Sequence, residues 1–339
     1  MDALSDVLRA VRLSGAVFFD VSASAPWVAE TPGGDAIVSR VFPAADHLMS
    51  YHVVTEGSCW GGLIDAPPLQ MLAGDIIVFP HGDPHVLSSK PGMRGAPDIG
   101  LYRPPGQGGR LPFTLTMGAT RRDPAKIVCG FLGCDTRPFN PLLSALPRVI
   151  HQRARAEGPL AQFVQLAVSE SRQPRVGGEV VLGRLSELLF VDVVRNYLEM
   201  LPENRTDWLA GLRDPYVGRA LAALHGDPAR QWTIDALARE AGLSRSALAE
   251  RFTLYAGQPP MQYLASWRMQ IAAHLLLNGA ESVASLASKV GYESEAAFSR
   301  AFKKIVGVPP GAWRRQRLAS SPATARATSA RPAAAEAAR

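Results

Sequence analysis

Apolar residues near the carboxyl end recur at helical spacing, and they do so twice. In TIDALAREAGLSRSALAERFTLYAG, positions 233–257 of the chain, Ile234, Leu237, Ala238 and Ala241 form one inner stripe. Thr233 stands where a hydroxyl can cap the helix start, and Gly242 stands where the chain must leave the helix. Ser244 can cap a second helix, whose inner stripe is Leu248, Phe252 and Tyr255. Helix, glycine turn and capped helix together predict a helix-turn-helix unit. A second unit spans 282–307. Leu286, Ala287 and Gly291 repeat Leu237, Ala238 and Gly242 at an offset of 49, and Phe298, Phe302 and Gly307 repeat Leu248, Phe252 and Gly257 at 50. The added residue falls in the turn, where an insertion least disturbs packing. Between the units, Leu264, Trp267, Ile271 and Leu275 step by three and four after Pro260, which predicts one long helix over 260–277. Eighteen residues make a rod of about 27 Å, near the roughly 34 Å between successive major-groove faces.

Upstream the period changes. Asp2 to Leu13 predicts a short amphipathic helix, with Leu4, Val7, Leu8 and Val11 on one side. From Val17 to about Phe131, short apolar runs alternate with Gly and Pro. AIVSRVF, HLMSYHVVTEG, CWGGLI, LQMLAG, DIIVFP, HVLSS and KIVCGFLG read as strands, and many short strands predict a sandwich or barrel. After Pro138, PLLSALPRVI, PLAQFVQLAVSES and GEVVLGRLSELLFVDVVRNYLEML read as helices. The last is apolar around much of its circumference, so it should be buried or meet a partner, such as the barrel and a second copy of the chain. Pro202 to Pro215 reads as a connection, and the Ala/Ser/Pro/Arg-rich end as disordered. The expected division is a strand-rich domain over 1–138, a helical packing and dimerisation segment over 139–201, a linker over 202–215, a double helix-turn-helix domain over 216–318 and a tail over 319–339.

Charge sharpens this picture. The chain has 339 residues and a net charge of +6. Residues 216–318 hold 13 Lys and Arg against 7 Asp and Glu, whereas residues 1–215 are net −2. The basic excess thus sits on the paired helical units, as expected of a face that meets phosphate. At 47% hydrophobic the chain can bury a core in each of two domains. No stretch approaches twenty apolar residues and no basic start precedes an apolar run, so a cytoplasmic protein without a membrane partner is expected.

These residues carry a resemblance. From about Asp227 to Arg315, and most specifically in VGYESEAAFSRAFKKIVGVPPGAWRR, the chain resembles the AraC/XylS transcription activators. The resemblance implies two helix-turn-helix modules bridged by a long helix, binding to double-stranded DNA, and contact with RNA polymerase if the protein activates. It places base-edge contacts on Arg245, Ser246, Ala249 and Glu250 in the first module, and on Glu295, Ala296, Ser299 and Arg300 in the second. Arg245 and Arg300 suit bidentate contact with guanine. Glu250 and Glu295 either accept from a cytosine amino group or face solvent, and Ala249 and Ala296 reach only a thymine methyl. Lys303, Lys304, Arg314 and Arg315 read as phosphate-facing or simply exposed.

GDIIVFPHGDPH, with Gly74, Pro80, Gly82 and His85 in register, resembles the second conserved motif of cupin barrels. In metal cupins that histidine joins ligands from an earlier motif. Here His47, His52 and Glu56 do not reproduce its spacing, so neither a metal nor another cofactor is expected. His81 and His85 are then either packed barrel residues or part of a small-molecule effector site with His52, Cys59 and Trp60. Cys129 and Cys134 lie in C-x4-C spacing, which suits two buried small side chains, a redox-sensing pair or metal binding with a histidine. The fold class expected is α+β: a cupin-like barrel with following helices, then an all-α domain. The function expected is a ligand-responsive, homodimeric regulator, more an activator than a repressor, with no catalytic residues. The alternatives are a redox-responsive regulator and a cupin metalloenzyme fused to a DNA reader.

Overall fold

A computed structural model describes residues 2–103, 111–118, 122–153, 158–173, 175–279 and 281–319. The N-terminal part runs α1 (Ala3–Ala10), β1 (Ser14–Ser24), β2 (Val28–Thr31), α2 (Gly34–Val41), β3 (His47–Glu56), β4 (Ser58–Leu63), β5 (Leu69–Leu72), β6 (Ile76–Phe79), β7 (His85–Ser88), β8 (Phe113–Met117), β9 (Pro124–Cys134), α3 (Pro141–Ala145) and β10 (Ile150–Gln152). The strands form two sheets, ordered β10-β6-β3-β9-β1-β8 and β2-β7-β4-β5. Neighbouring strands are antiparallel except β1 and β8, which pair in parallel from Phe19–Phe113 to Ala23–Met117.

The long central strands are buried on both faces, which is why they read as unbroken apolar runs rather than alternations. On β3, Leu48 and Val54 turn into the space between the sheets, while Met49, Tyr51 and Val53 turn outward to the helices. The outer face is covered by α4 (Pro159–Arg172) and α5 (Gly178–Glu199). Gly15 on β1 and Gly183 on α5 permit this close approach. A Cβ on either would lie 2.5–2.7 Å from the other's carbonyl oxygen. Tyr51 reaches across the same contact, its hydroxyl 2.6 Å from that of Ser186.

The C-terminal part comprises α6 (Trp208–Arg213), α7 (Val217–Gly226), α8 (Ile234–Ala241), α9 (Arg245–Ala256), α10 (Pro260–Asn278), α11 (Val283–Lys289), α12 (Glu295–Val306) and α13 (Pro310–Ala319). Its first module shares one apolar core with α1 and the outer barrel face, in which Val7, Leu221, Phe252 and Trp267 are all buried. The second module has its own core, built on Leu286, Phe298, Phe302 and Trp313.

Several local expectations need correction. AIVSRVF is not a strand but α2, because Gly34, Ile37 and Val41 bury one helical face. PLLSALPRVI is helical only over α3; Pro147 follows, and Ile150–Gln152 pairs antiparallel with β6, Ile150 opposite Val78 and Gln152 opposite Ile76. The six-stranded sheet therefore takes a strand from beyond residue 138. The connection over 202–215 contains α6, whose Trp208 and Leu209 are buried against α7 and α9. β2 and β8 were not anticipated. Of the expected disordered tail, residue 319 ends α13 and 320–339 lie outside the described residues. Among the described residues no helix is long and apolar enough to cross a membrane.

Candidate nucleic-acid interface and sensing region

Side-chain oxygens of Thr233, Ser244, Ser282 and Ser294 each accept from the backbone N–H three residues on, capping α8, α9, α11 and α12. Gly242, Gly257 and Gly307 close α8, α9 and α12 with φ of 78°, 71° and 91°, a region open to glycine. With both helix ends set, one face of each second helix is committed inward: Leu248 and Phe252 on α9, Phe298 and Phe302 on α12. The opposite faces carry the predicted reading residues. Arg245, Ser246, Glu250, Glu295, Ala296, Arg300, Lys303 and Lys304 are exposed, and Ala249 and Ser299 are half-buried beside them. Among the described residues, none of the six charged members forms an ion pair. Their donors and acceptors are available to a ligand.

Neighbouring arginines are committed elsewhere. Arg251 on α9 grips Asp214 through Nε at 3.0–3.1 Å and Nη2 at 2.5 Å. Asp214 also caps α7, accepting from the backbone of Tyr216 and Val217. Burial pushes its carboxyl up, but Arg251 and the two N–H groups together hold it below the usual carboxylate range. Arg219 donates to the Ala241 carbonyl, and Arg268 to those of Pro228 and Arg230. Arg314, expected to face phosphate or solvent, instead closes the end of α10 by donating to the carbonyls of Leu276 and Glu281. Arg315 is exposed. Sequence reasoning missed Asp214 and also Gln270, a polar side chain 1% exposed on α10. Gln270 Nε2 donates to the Ala10 carbonyl at 2.8 Å and its Oε1 accepts from the Phe139 amide at 3.0 Å, tying the long helix to the N-terminal part.

Of the five residues expected to line an effector site, three turn into the barrel and two do not. His52, His85 and Cys59 are buried in its interior. Trp60 follows Cys59 on β4 and so points to the other face of that strand. His81 is exposed and bonds the Leu146 carbonyl at 2.8 Å, clamping α3 to the barrel rim. His85 Nδ1 lies 2.8 Å from the Asp83 carbonyl, which can only accept, so Nδ1 carries the proton. Nε2 of His85 then accepts from Nε2 of His52 at 2.7 Å, which leaves Nδ1 of His52 buried without a partner. Burial pulls both imidazoles down, His85 to about 4 and His52 well below its ordinary value. The unfolded chain binds these protons near pH 6.5 and the folded chain does not. Stability should therefore fall as pH drops from about 6.5 toward 4, and His85→Phe should flatten that slope. Melting temperature against pH measures it; parallel slopes would remove the pair as the cause.

The geometry lends the redox alternative no support. Cys129 faces the barrel interior and Cys134 the outer core, because an odd separation on one strand places side chains on opposite faces. Both are buried free thiols, and burial pushes them, with Cys59, far above the ordinary range. Low-pKa exposed thiolates are what redox sensing needs. Among the described residues no group of three or more His, Cys, Asp or Glu converges as metal ligands would, so nothing favours the metalloenzyme alternative.

Comparison with known proteins agrees with this layout. A family model described as Cupin matches residues 2–199, and one described as Helix-turn-helix domain matches residues 237–316. The chain is 33% identical over 324 residues to an AraC-like transcription regulator of Streptomyces lividans, covering 93% of this chain and 98% of that protein. It is 32% identical over 324 residues to a like-named regulator of Streptomyces antibioticus, covering 93% and 99%. To the HTH-type transcriptional regulator AlkR of Acinetobacter baylyi it is 28% identical over 320 residues, covering 93% and 100%.

Proposed function

The chain belongs to the AraC-like, helix-turn-helix transcription regulators, and from that premise we propose that it is an activator whose N-terminal barrel region answers to a small molecule. It reads double-stranded DNA with α9 and α12 and recruits RNA polymerase from the bound site. The observation that carries the reading is the pair of capped helices at the two ends of α10, each presenting an unpaired arginine, Arg245 or Arg300, on its exposed face.

Arg300→Ala should relax base preference at one position by about 1–3 kcal/mol, the value of a bidentate guanine contact. Lys303→Ala should weaken all sequences alike and reduce the slope of log affinity against log salt by about one. Selection from random oligonucleotides followed by salt titration separates the two. Equal loss on selected and random DNA for Arg300→Ala would assign it a purely electrostatic role.

The proposed assembly is a homodimer. α5 buries Leu185, Leu189, Phe190 and Val193 on the barrel side, but leaves Val180 68%, Val181 41% and Leu188 48% exposed, and Leu166 of α4 is 48% exposed. Leu188→Glu should shift the protein from dimer to monomer in sedimentation at micromolar concentration. A wild-type chain that sediments only as monomer, with and without DNA, would refute the dimer.

A further inference from the structure

The reading of a small-molecule sensor leaves open where the molecule sits, and the barrel interior offers little room. Phe18, Phe79 and Phe131 are each at most 2% exposed there. The Phe79 ring stacks on His85 at 3.8 Å, and Phe18 meets Phe113 and Phe131 at 5.4 Å. Space exists instead on the outside of the six-stranded sheet. A cleft of about 960 Å³ opens between α4 on one side and the ends of β3, β10 and α5 on the other. That is the size of a site for a drug-sized molecule.

Resting on the sensor reading, we propose that this cleft, not the barrel interior, is the effector site, and that it takes an uncharged amphipathic organic molecule. One wall is apolar: Leu160, Val164 and Val168 lie four residues apart on α4, so they form a single stripe along the cleft. The opposite wall is polar but not charged overall. Gln152 Nε2 is spent on the Val193 carbonyl at 2.7 Å, while Asn196 Nδ2 donates to Asp192 at 3.2 Å. The Asn196 Oδ1 accepts from no described residue, which leaves an acceptor for a ligand hydroxyl or amide. The lining charges cancel. Glu56 is held by Lys126 and Arg172, His151 lies 3.3 Å from Asp75, and Arg153 and Asp192 are of opposite sign. With no net charge on the lining, an ion gains little to offset its desolvation.

The position of the cleft supplies a route to the reader. Asn196 lies in the last turn of α5 and Met200 caps its end. Arg213 donates to the carbonyls of Leu198 and Leu201 at 3.2 and 3.1 Å, and the next residue, Asp214, holds Arg251 on α9. A molecule that moves the end of α5 moves the anchor of the first reading helix.

The test uses the full chain and N-phenyl-1-naphthylamine, a neutral amphipathic fluorophore that brightens in apolar surroundings. Saturable binding at one site per chain is expected. Val164→Trp, which fills the cleft, should weaken it at least about tenfold, as should Met200→Trp, placed at an exposed position where folding is not at stake. His85→Phe, inside the barrel, should leave it unchanged. The sulfonated analogue 8-anilinonaphthalene-1-sulfonate should bind at least about tenfold more weakly than the neutral dye. Binding that survives both tryptophan variants, or is lost only in His85→Phe, overturns the cleft; equal affinity for the sulfonate overturns the uncharged class. DNA selection on the same preparation separates the two levels. No preferred DNA sequence overturns the regulator reading itself, whereas preferred DNA with dye binding indifferent to the tryptophans overturns the cleft alone.

Discussion

Phe302→Ala should reduce recognition of a selected operator to what the first module can supply, while leaving the barrel folded. The cause is the isolation of the second module's core. Phe302 is fully buried among residues of α10, α11, α12 and α13, its ring 5.6 Å from Phe298 and 6.3 Å from Trp313. That core is separate from the ones that include the barrel strands. Truncating a buried phenylalanine costs about 3–5 kcal/mol, and whole domains are stable by only about 5–15 kcal/mol. A module with so few buried residues has little margin, so α12 should lose its fixed orientation. Melting followed at the barrel should be nearly unchanged, while hydrogen exchange through α12 should speed up. Specific DNA affinity should fall further than in Arg300→Ala, because every contact of the second module is lost together. Unchanged operator affinity would mean that α12 does not read DNA.

How much of this was legible in the chain depended on which physical signal carried it. The reading helices were legible because three signals agree: a 3.6-residue stripe, a capping hydroxyl and a glycine where φ must be positive. Once Leu248, Phe252, Phe298 and Phe302 were assigned inward, the exposed residues followed as the complement of the stripe. AIVSRVF was misread because a seven-residue apolar run has too few positions to separate a period of two from one of nearly four. β10 is only three residues long and follows a proline, so it left no periodic trace. Strand parity held more than was taken from it. Cys59 and Trp60 are consecutive, and Cys129 and Cys134 are five apart, so on a continuous strand neither pair can share a face. What sequence could not supply is the cleft beside α4 and the tie through Gln270. Both depend on which distant backbone packs where: Gln270 meets carbonyl and amide groups 260 and 131 residues away.

That tie leads to the second large expectation. Gln270→Leu should loosen the N-terminal part from the reading helices without unfolding either, because the apolar core they share remains. Leucine has nearly the same size and helix preference as glutamine, so α10 itself should persist. In the docked arrangement, however, the substitution leaves the part-buried Phe139 amide without its acceptor and takes from the buried Ala10 carbonyl one of its two donors, the other being the His274 ring. An orphaned buried group costs about 1–3 kcal/mol, so the docked arrangement should lose about that much through the Phe139 amide. The undocked arrangement loses nothing, since water reaches both groups there. Differential cost of that kind is what shifts a two-state balance. The contact between Arg317 of α13 and Asp46 of the barrel side also remains, and it should weaken with salt because it is ionic. Raising salt in the Gln270→Leu background should therefore release the reading helices further than either change alone. The expected readouts are faster exchange of the Phe139 amide, new protease sensitivity around 202–207, and operator binding that no longer depends on the effector. Gln270→Glu, which keeps an acceptor for Phe139 but loses the donor to Ala10, should fall between. A Phe139 amide as protected in Gln270→Leu as in the wild type, with effector dependence intact, would show that the two parts are coupled through other contacts.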